Sequence, residues 1–210
     1  MMLKVKVCGM RDPGNIREVG DLSPDYMGFI FSPESKRYVG SHPDLTIFKS
    51  VSSAIRRVGV FVNEDPGKVE DIVGRFHLDM VQLHGLESAA YCRHLQQKKI
   101  QVIKAFPMGK DFDFNQLNDY ERVVDYFLFD GKGKNPGGNG LKFDWLVLGD
   151  YSLSVPFFLS GGIGPDDASA IKRLNHSRLY ALDLNSGFEC APAQKDPVKL
   201  KKFLTDLRHR

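Results

Sequence analysis

Residues 4–8, Lys4-Val5-Lys6-Val7-Cys8, alternate polar and apolar before the chain meets Gly9. Period two predicts a strand with Val5 and Val7 on one face and Lys4, Lys6 and Cys8 on the other. Short apolar runs recur at 26–31, 58–62, 80–83, 101–105, 126–129, 156–160 and 179–184, each read as a further strand. The segments between them predict helices. These are weak over 13–19, poorly marked over 41–53, and clearer over 66–76, 87–97 and 112–123. Further helices start near Asp144-Trp145, at Pro165-Asp166-Asp167 and after Asp196-Pro197. The last carries Leu200, Phe203, Leu204 and Leu207 at i, i+3, i+4, i+7, the spacing of a buried face.

Strand followed by helix, eight times over, predicts a parallel sheet. Eight such units in 210 residues fit a compact (βα)8 TIM barrel as a single domain over 1–210, with an open doubly wound sheet as the rival, which usually needs fewer strands. No internal sequence repeat, linker or low-complexity stretch interrupts the pattern.

Composition narrows the function. At 42% hydrophobic and 26% charged the chain is ordinary for a globular protein. Net charge is +3 with Lys and Arg spread out, so nucleic-acid binding has no support, and the basic end reads as the wet side of a helix. Cys8, Cys92 and Cys190 are odd in number and far apart, without metal-ligand spacing, which suits a reducing compartment. With no signal-peptide pattern and no membrane-length apolar run, the expectation is a cytoplasmic protein with no membrane partner.

Parallel barrels gather their chemistry at the C-terminal strand ends. Those ends here read Cys8, Ser32, Asn63, His84, Asp130, Ser160 and Asp183. Cys8 is either a buried inert thiol or a reactive one, and Lys6 on the same face favours the second because a cation lowers a thiol pKa. Asp130 ends an apolar strand, where burial would favour its neutral form and let it donate a proton. A thiolate base and a carboxylic acid make a workable pair. After Asp130 comes a loop rich in Gly131, Gly133, Gly137, Gly138 and Gly140, whose N–H groups suit phosphate. Gly161-Gly162, with a helix start behind it, and Asn185-Ser186-Gly187 after the eighth strand are two more phosphate holders, or ordinary turns. A histidine placed like His84 is more often a satisfied core or loop residue than a catalytic one, and Arg37 reads by default as a solvated surface charge.

The motifs together are more specific than any one of them. KVCGM (6–10), GFIFSPESKRYV (28–39), VGVFVN (58–63), VQLHG (81–85), FDGKGKNPGGNGLKFDW (129–145), FLSGGI (158–163) and LDLNSGFE (182–189) occur in this order. The chain resembles the phosphoribosylanthranilate isomerases of tryptophan biosynthesis. That resemblance implies a (βα)8 barrel without metal or cofactor that isomerises a phosphosugar–anthranilate substrate by an Amadori rearrangement, as a monomer or homodimer. It implies Cys8 as general base, Asp130 as general acid, and Arg37, His84 and Asp183 as substrate-binding residues. Gly140, Gly161, Gly162, Ser186 and Gly187 would hold the phosphate. Three positions depart from the family pattern: Gly131 follows the acid where Thr or Asn is commoner, Asn185 replaces a Ser, and Ala193 replaces a Gly. Another sugar-phosphate isomerase or aldolase, or a non-catalytic phosphate-binding barrel, are the competing readings; neither requires both Cys8 and Asp130.

Overall fold

The computed structural model of the chain describes residues 3–131 and 142–208. Eight parallel strands pair in sequence order: β1 (Lys4–Val7), β2 (Tyr26–Ile30), β3 (Arg56–Phe61), β4 (Met80–Leu83), β5 (Gln101–Met108), β6 (Tyr126–Gly131), β7 (Phe157–Leu159) and β8 (Leu179–Leu184). β8 pairs back onto β1, with Lys6 opposite Asp183, so the sheet closes into the expected barrel and the open doubly wound alternative is overturned.

Period two sets the two faces of every strand. Val5, Val7, Phe29, Phe61, Leu83, Phe127 and Phe129 point outward and are buried beneath the helices. Tyr26, Val58, Met80, Ile103, Leu128 and Phe158 fill the barrel centre. Burying each such side chain contributes roughly 1.5–3 kcal/mol. Nearer the C-terminal strand ends the interior changes character: Lys6, Gln82 and Asp183 are buried there. The N-terminal half of the barrel is thus apolar packing, and the opposite mouth carries the polar groups.

Local chemistry explains where the helices start. Asp12, Asp65 and Ser88 accept from Asn15 N, Lys68 N and Tyr91 N at the starts of α1 (Pro13–Gly20), α3 (Pro66–Phe76) and α4 (Ala89–Gln97). Asp196 accepts from Val198 N and Lys199 N at the start of α6 (Pro197–Arg208), which buries Leu200, Phe203 and Leu204. The helix expected over 41–53 shrinks to α2 (Leu45–Lys49). The segments expected as α-helices after β5 and β6 are 3₁₀ helices, Phe114–Tyr120 and Trp145–Asp150. Asp113 and Asp144 each accept from the N–H two residues ahead (Asn115 and Leu146) and cap these turns. The helix after β7 is α5 (Ala168–Leu174), starting three residues past Pro165, because the Asp167 carboxylate turns back to Gly164 N. An antiparallel hairpin of β9 (Glu189–Ala191) and β10 (Gln194–Lys195), which the pattern of apolar residues did not predict, follows β8. No helix among the described residues is long and apolar enough to cross a membrane.

Candidate active site

The C-terminal strand ends surround a cavity, the place where parallel barrels hold their ligands. Cys8, Arg37, Gln82, His84, Asp130 and Asp183 line it. Gly161, Gly162, Ser186 and Gly187 line it as well, so the two loops read separately as phosphate holders belong to one site. Gly140 lies outside the described residues.

Cys8 sits one residue past β1, held by its N–H donating to Leu184 O at 2.8 Å. Its side chain faces inward and is 3% exposed. Burial pushes the thiol up from its ordinary range; Lys6 pulls it back only in part. The sequence reading, in which the neighbouring cation lowers the thiol pKa, is therefore corrected: the cation is present, and burial outweighs it. Beneath Cys8, Lys6 Nζ donates to Asp183 Oδ1 at 2.8 Å, both side chains being almost fully buried. Burial works against the Lys6 charge, but Asp183 and Cys8 outweigh it and hold the ammonium above its usual range. Asp183 thus lines the cavity and also anchors the cation below the thiol.

Asp130 lies within β6, one residue before its end. Its surroundings are not apolar, as the strand pattern had suggested: the side chain is 15% exposed, and Oδ2 is 3.2 Å from His84 Nε2. Gln82 Nε2 donates to His84 Nδ1 at 2.8 Å, which leaves the ring proton on Nε2, aimed at Asp130. Gln82 sits two residues before His84 on the same face, the spacing seen in the sequence. Its Oε1 is buried and has no hydrogen-bond partner among the described residues. A buried acceptor of this kind at a cavity wall is suited to a ligand hydroxyl.

Arg37 is not a solvated charge. Its side chain is 11% exposed, and Nε and Nη2 donate to Glu189 Oε1 and Oε2 at 2.8 and 2.7 Å. Glu189 takes further bonds from Ala193 N and Lys195 Nζ. Burial opposes its charge, but Arg37 and Lys195 hold the carboxyl below its usual range. Sequence reasoning assigned no role to Glu189 or Lys195; the only signal was Glu189 at the end of LDLNSGFE and Lys195 in the departing segment with Ala193. Ala193 occupies a left-handed φ of 65°, the conformation that makes Gly the usual residue there. Asn63, a polar strand end, does not line the cavity: its Oδ1 accepts from Leu86 N, organising the loop after β4.

Gly161 has φ 84°, and a Cβ on it would collide with Gly131 N, so a bare backbone is required where the ends of β6 and β7 meet. The dipole argument for Gly161-Gly162 is corrected, since α5 begins only at Ala168. What remains at that rim is the backbone of Gly161 and Gly162 and the side chain of Ser186, all lining the cavity, groups suited to an anion. Among the described residues no three His, Cys, Asp or Glu side chains are grouped as metal ligands.

The family model for N-(5'phosphoribosyl)anthranilate (PRA) isomerase matches residues 5–206. An N-(5'-phosphoribosyl)anthranilate isomerase of Parabacteroides distasonis is 45% identical over 206 residues, covering 98% of this chain and 93% of that one. A phosphoribosyl anthranilate isomerase crystallised with reduced 1-(o-carboxyphenylamino)-1-deoxyribulose 5-phosphate superposes with TM-score 0.84 at 30% identity, over 99% of both chains. A structure of monomers generated from the dimeric enzyme of Thermotoga maritima superposes with TM-score 0.82 at 31% identity, over the whole of both chains.

Proposed function

The chain belongs to the N-(5'-phosphoribosyl)anthranilate isomerase family, and from that premise we propose that Cys8 and Asp130 are the base and acid of its reaction. The reaction is the Amadori rearrangement of N-(5-phosphoribosyl)anthranilate to 1-(2-carboxyphenylamino)-1-deoxyribulose 5-phosphate, in tryptophan biosynthesis. The observation that carries the assignment is the shared cavity: a buried thiol from the first strand and a carboxyl from the sixth face the same space.

Asp130 donates a proton to the ribose ring oxygen, the C1–O bond breaks, and a Schiff base forms between C1 and the anthranilate nitrogen. His84, its Nε2–H facing Asp130, orients the carboxyl and meets the negative charge left on it. Cys8, as thiolate, removes the C2 proton to give the enolamine. Tautomerisation then places one proton on C1 and releases one from the C2 hydroxyl, so the rearrangement is neutral overall. Lys6, with its ammonium below the thiol, stabilises the thiolate form.

Substrate is held at both ends. The Arg37 guanidinium suits the anthranilate carboxylate. The rim of Gly161, Gly162, Ser186 and Gly187 suits the phosphate, and Gln82 Oε1 and Asp183 are the acceptors within reach of sugar hydroxyls. Holding both ends keeps C2 and the ring oxygen in register with the two proton carriers. All these residues lie on one chain, so the reading serves a monomer and a homodimer alike. We read residues 1–210 as a single barrel domain, supported by the run of strands and helices from Lys4 to Arg208. A base that must remain a free thiol supports a reducing, cytoplasmic setting.

The test is an anthranilate-fluorescence assay with freshly generated phosphoribosylanthranilate. Loss of substrate fluorescence that depends on the purified chain supports the reading; a rate equal to that without protein rejects it.

A further inference from the structure

Arg37 spends its Nε and one Nη2 hydrogen on Glu189, which holds the guanidinium side-on and leaves the rest of its edge for the cavity. Glu189 does not line that cavity; neither does Lys195. Lys195 Nζ lies 2.5 Å from Glu189 Oε1 and 2.9 Å from Asn185 Oδ1, with its side chain fully buried. The backbone of Lys195 is pinned in turn: its N–H donates to Asn15 Oδ1 at 2.8 Å and its carbonyl accepts from Asn15 Nδ2 at 2.9 Å. A continuous chain of bonds therefore runs from α1 through the β9–β10 hairpin to the Arg37 guanidinium.

Charge accounting explains the second cation. An Arg37–Glu189 pair alone is neutral and would offer an incoming carboxylate little attraction. Lys195 returns the trio to a net charge of +1. A buried ammonium is expensive, and a well-packed apolar side chain commonly serves stability as well.

Resting on the assignment of Arg37 to the substrate carboxylate, we propose that Glu189 and Lys195 are positioning residues for that end of the substrate. Glu189 fixes the direction of the guanidinium, and Lys195 holds Glu189 in place and restores the positive charge of the subsite.

Two effects of Glu189→Gln pull in opposite directions. Removing a negative charge strengthens attraction for a carboxylate, whereas losing the charged fork frees the guanidinium and weakens it. The proposal predicts that the second wins: KM for phosphoribosylanthranilate rises about tenfold, in line with loss of a charged hydrogen bond, and kcat changes by less than about threefold. Lys195→Met raises KM as well. Inhibition by anthranilate, a carboxylate without phosphate, weakens in both variants, while inhibition by inorganic phosphate does not change; general damage to the fold would weaken both. In the Arg37→Ala background Glu189→Gln adds no further rise in KM, because Glu189 acts through Arg37. An unchanged or lowered KM in Glu189→Gln, or equal loss of anthranilate and phosphate inhibition, overturns the proposal while leaving Arg37 in its role. An unchanged KM in Arg37→Ala instead rejects the carboxylate assignment on which the proposal stands.

Discussion

Gly28, in the middle of β2, faces Cys8 so closely that a Cβ on it would lie 2.7 Å from Cys8 Sγ and 3.1 Å from Lys6 Cε. The missing side chain leaves room for the sulfur and for the stem of the lysine beneath it. Gly28→Ala is therefore expected to displace the thiol by forcing atoms apart in a filled interior, costing about 1–3 kcal/mol of stability. Thermal unfolding and steady-state fluorescence kinetics check it together. A fold-competent variant with kcat reduced about tenfold or more is the expected outcome, and unchanged kcat would show that the sulfur tolerates the intrusion.

Burial sets the thiol of Cys8 above its ordinary range, with Lys6 opposing and Asp183 reinforcing the rise. Alkylation of the free enzyme at Cys8 by iodoacetamide should thus keep rising with pH past about 8.5, where an exposed thiol is half ionised. The sign for Lys6→Met follows: loss of the cation disfavours the thiolate, so the profile moves further up. Lys6→Met/Asp183→Asn also removes an anion and moves it up by less. Mass spectrometry of the Cys8 peptide in a Cys190→Ser background, which removes the exposed thiol, gives the profiles. A downward shift in Lys6→Met would contradict this electrostatic order.

Two glycines make opposite predictions for the same substitution. Gly161→Ala meets the backbone of Gly131 at a left-handed φ of 84°, and should lose about 2–4 kcal/mol together with phosphate-end binding. Gly74 lies exposed within α3, with open space where a Cβ would stand. There Ala removes the glycine penalty and should stabilise the protein by about 0.5–1 kcal/mol without altering kinetics. Denaturant unfolding of both variants decides. A neutral Gly161→Ala would mean that the ends of β6 and β7 can separate at little cost.

The barrel was legible because period-two apolar runs and helix starts are local signals: Asp196-Pro197 marks a helix start in the sequence, and Asp196 caps one in the structure. Placement of Cys8, His84 and Asp130 at one mouth followed from strand ends alone. The segments after β5 and β6 form 3₁₀ helices where α-helices were expected, and the Asp bond two residues long at their starts does not mark the difference, since Asp44 makes the same bond to Thr46 N at the start of α2. The Arg37–Glu189–Lys195 trio was invisible for a physical reason. Its members are 152 and 6 residues apart in sequence, and each alone is an ordinary charged residue until closure of the barrel buries them together. The balance of burial against Lys6 at Cys8 is likewise a property of the closed interior.

The account stands on two proton carriers meeting one sugar, and the most direct measurement is turnover of phosphoribosylanthranilate by Cys8→Ala and Asp130→Ala, each with a thermal unfolding curve. Both variants are predicted to unfold cooperatively near the wild-type temperature and to lose at least about 100-fold in kcat, the low end for acid–base catalysis. Wild-type turnover in either folded variant would contradict the assignment.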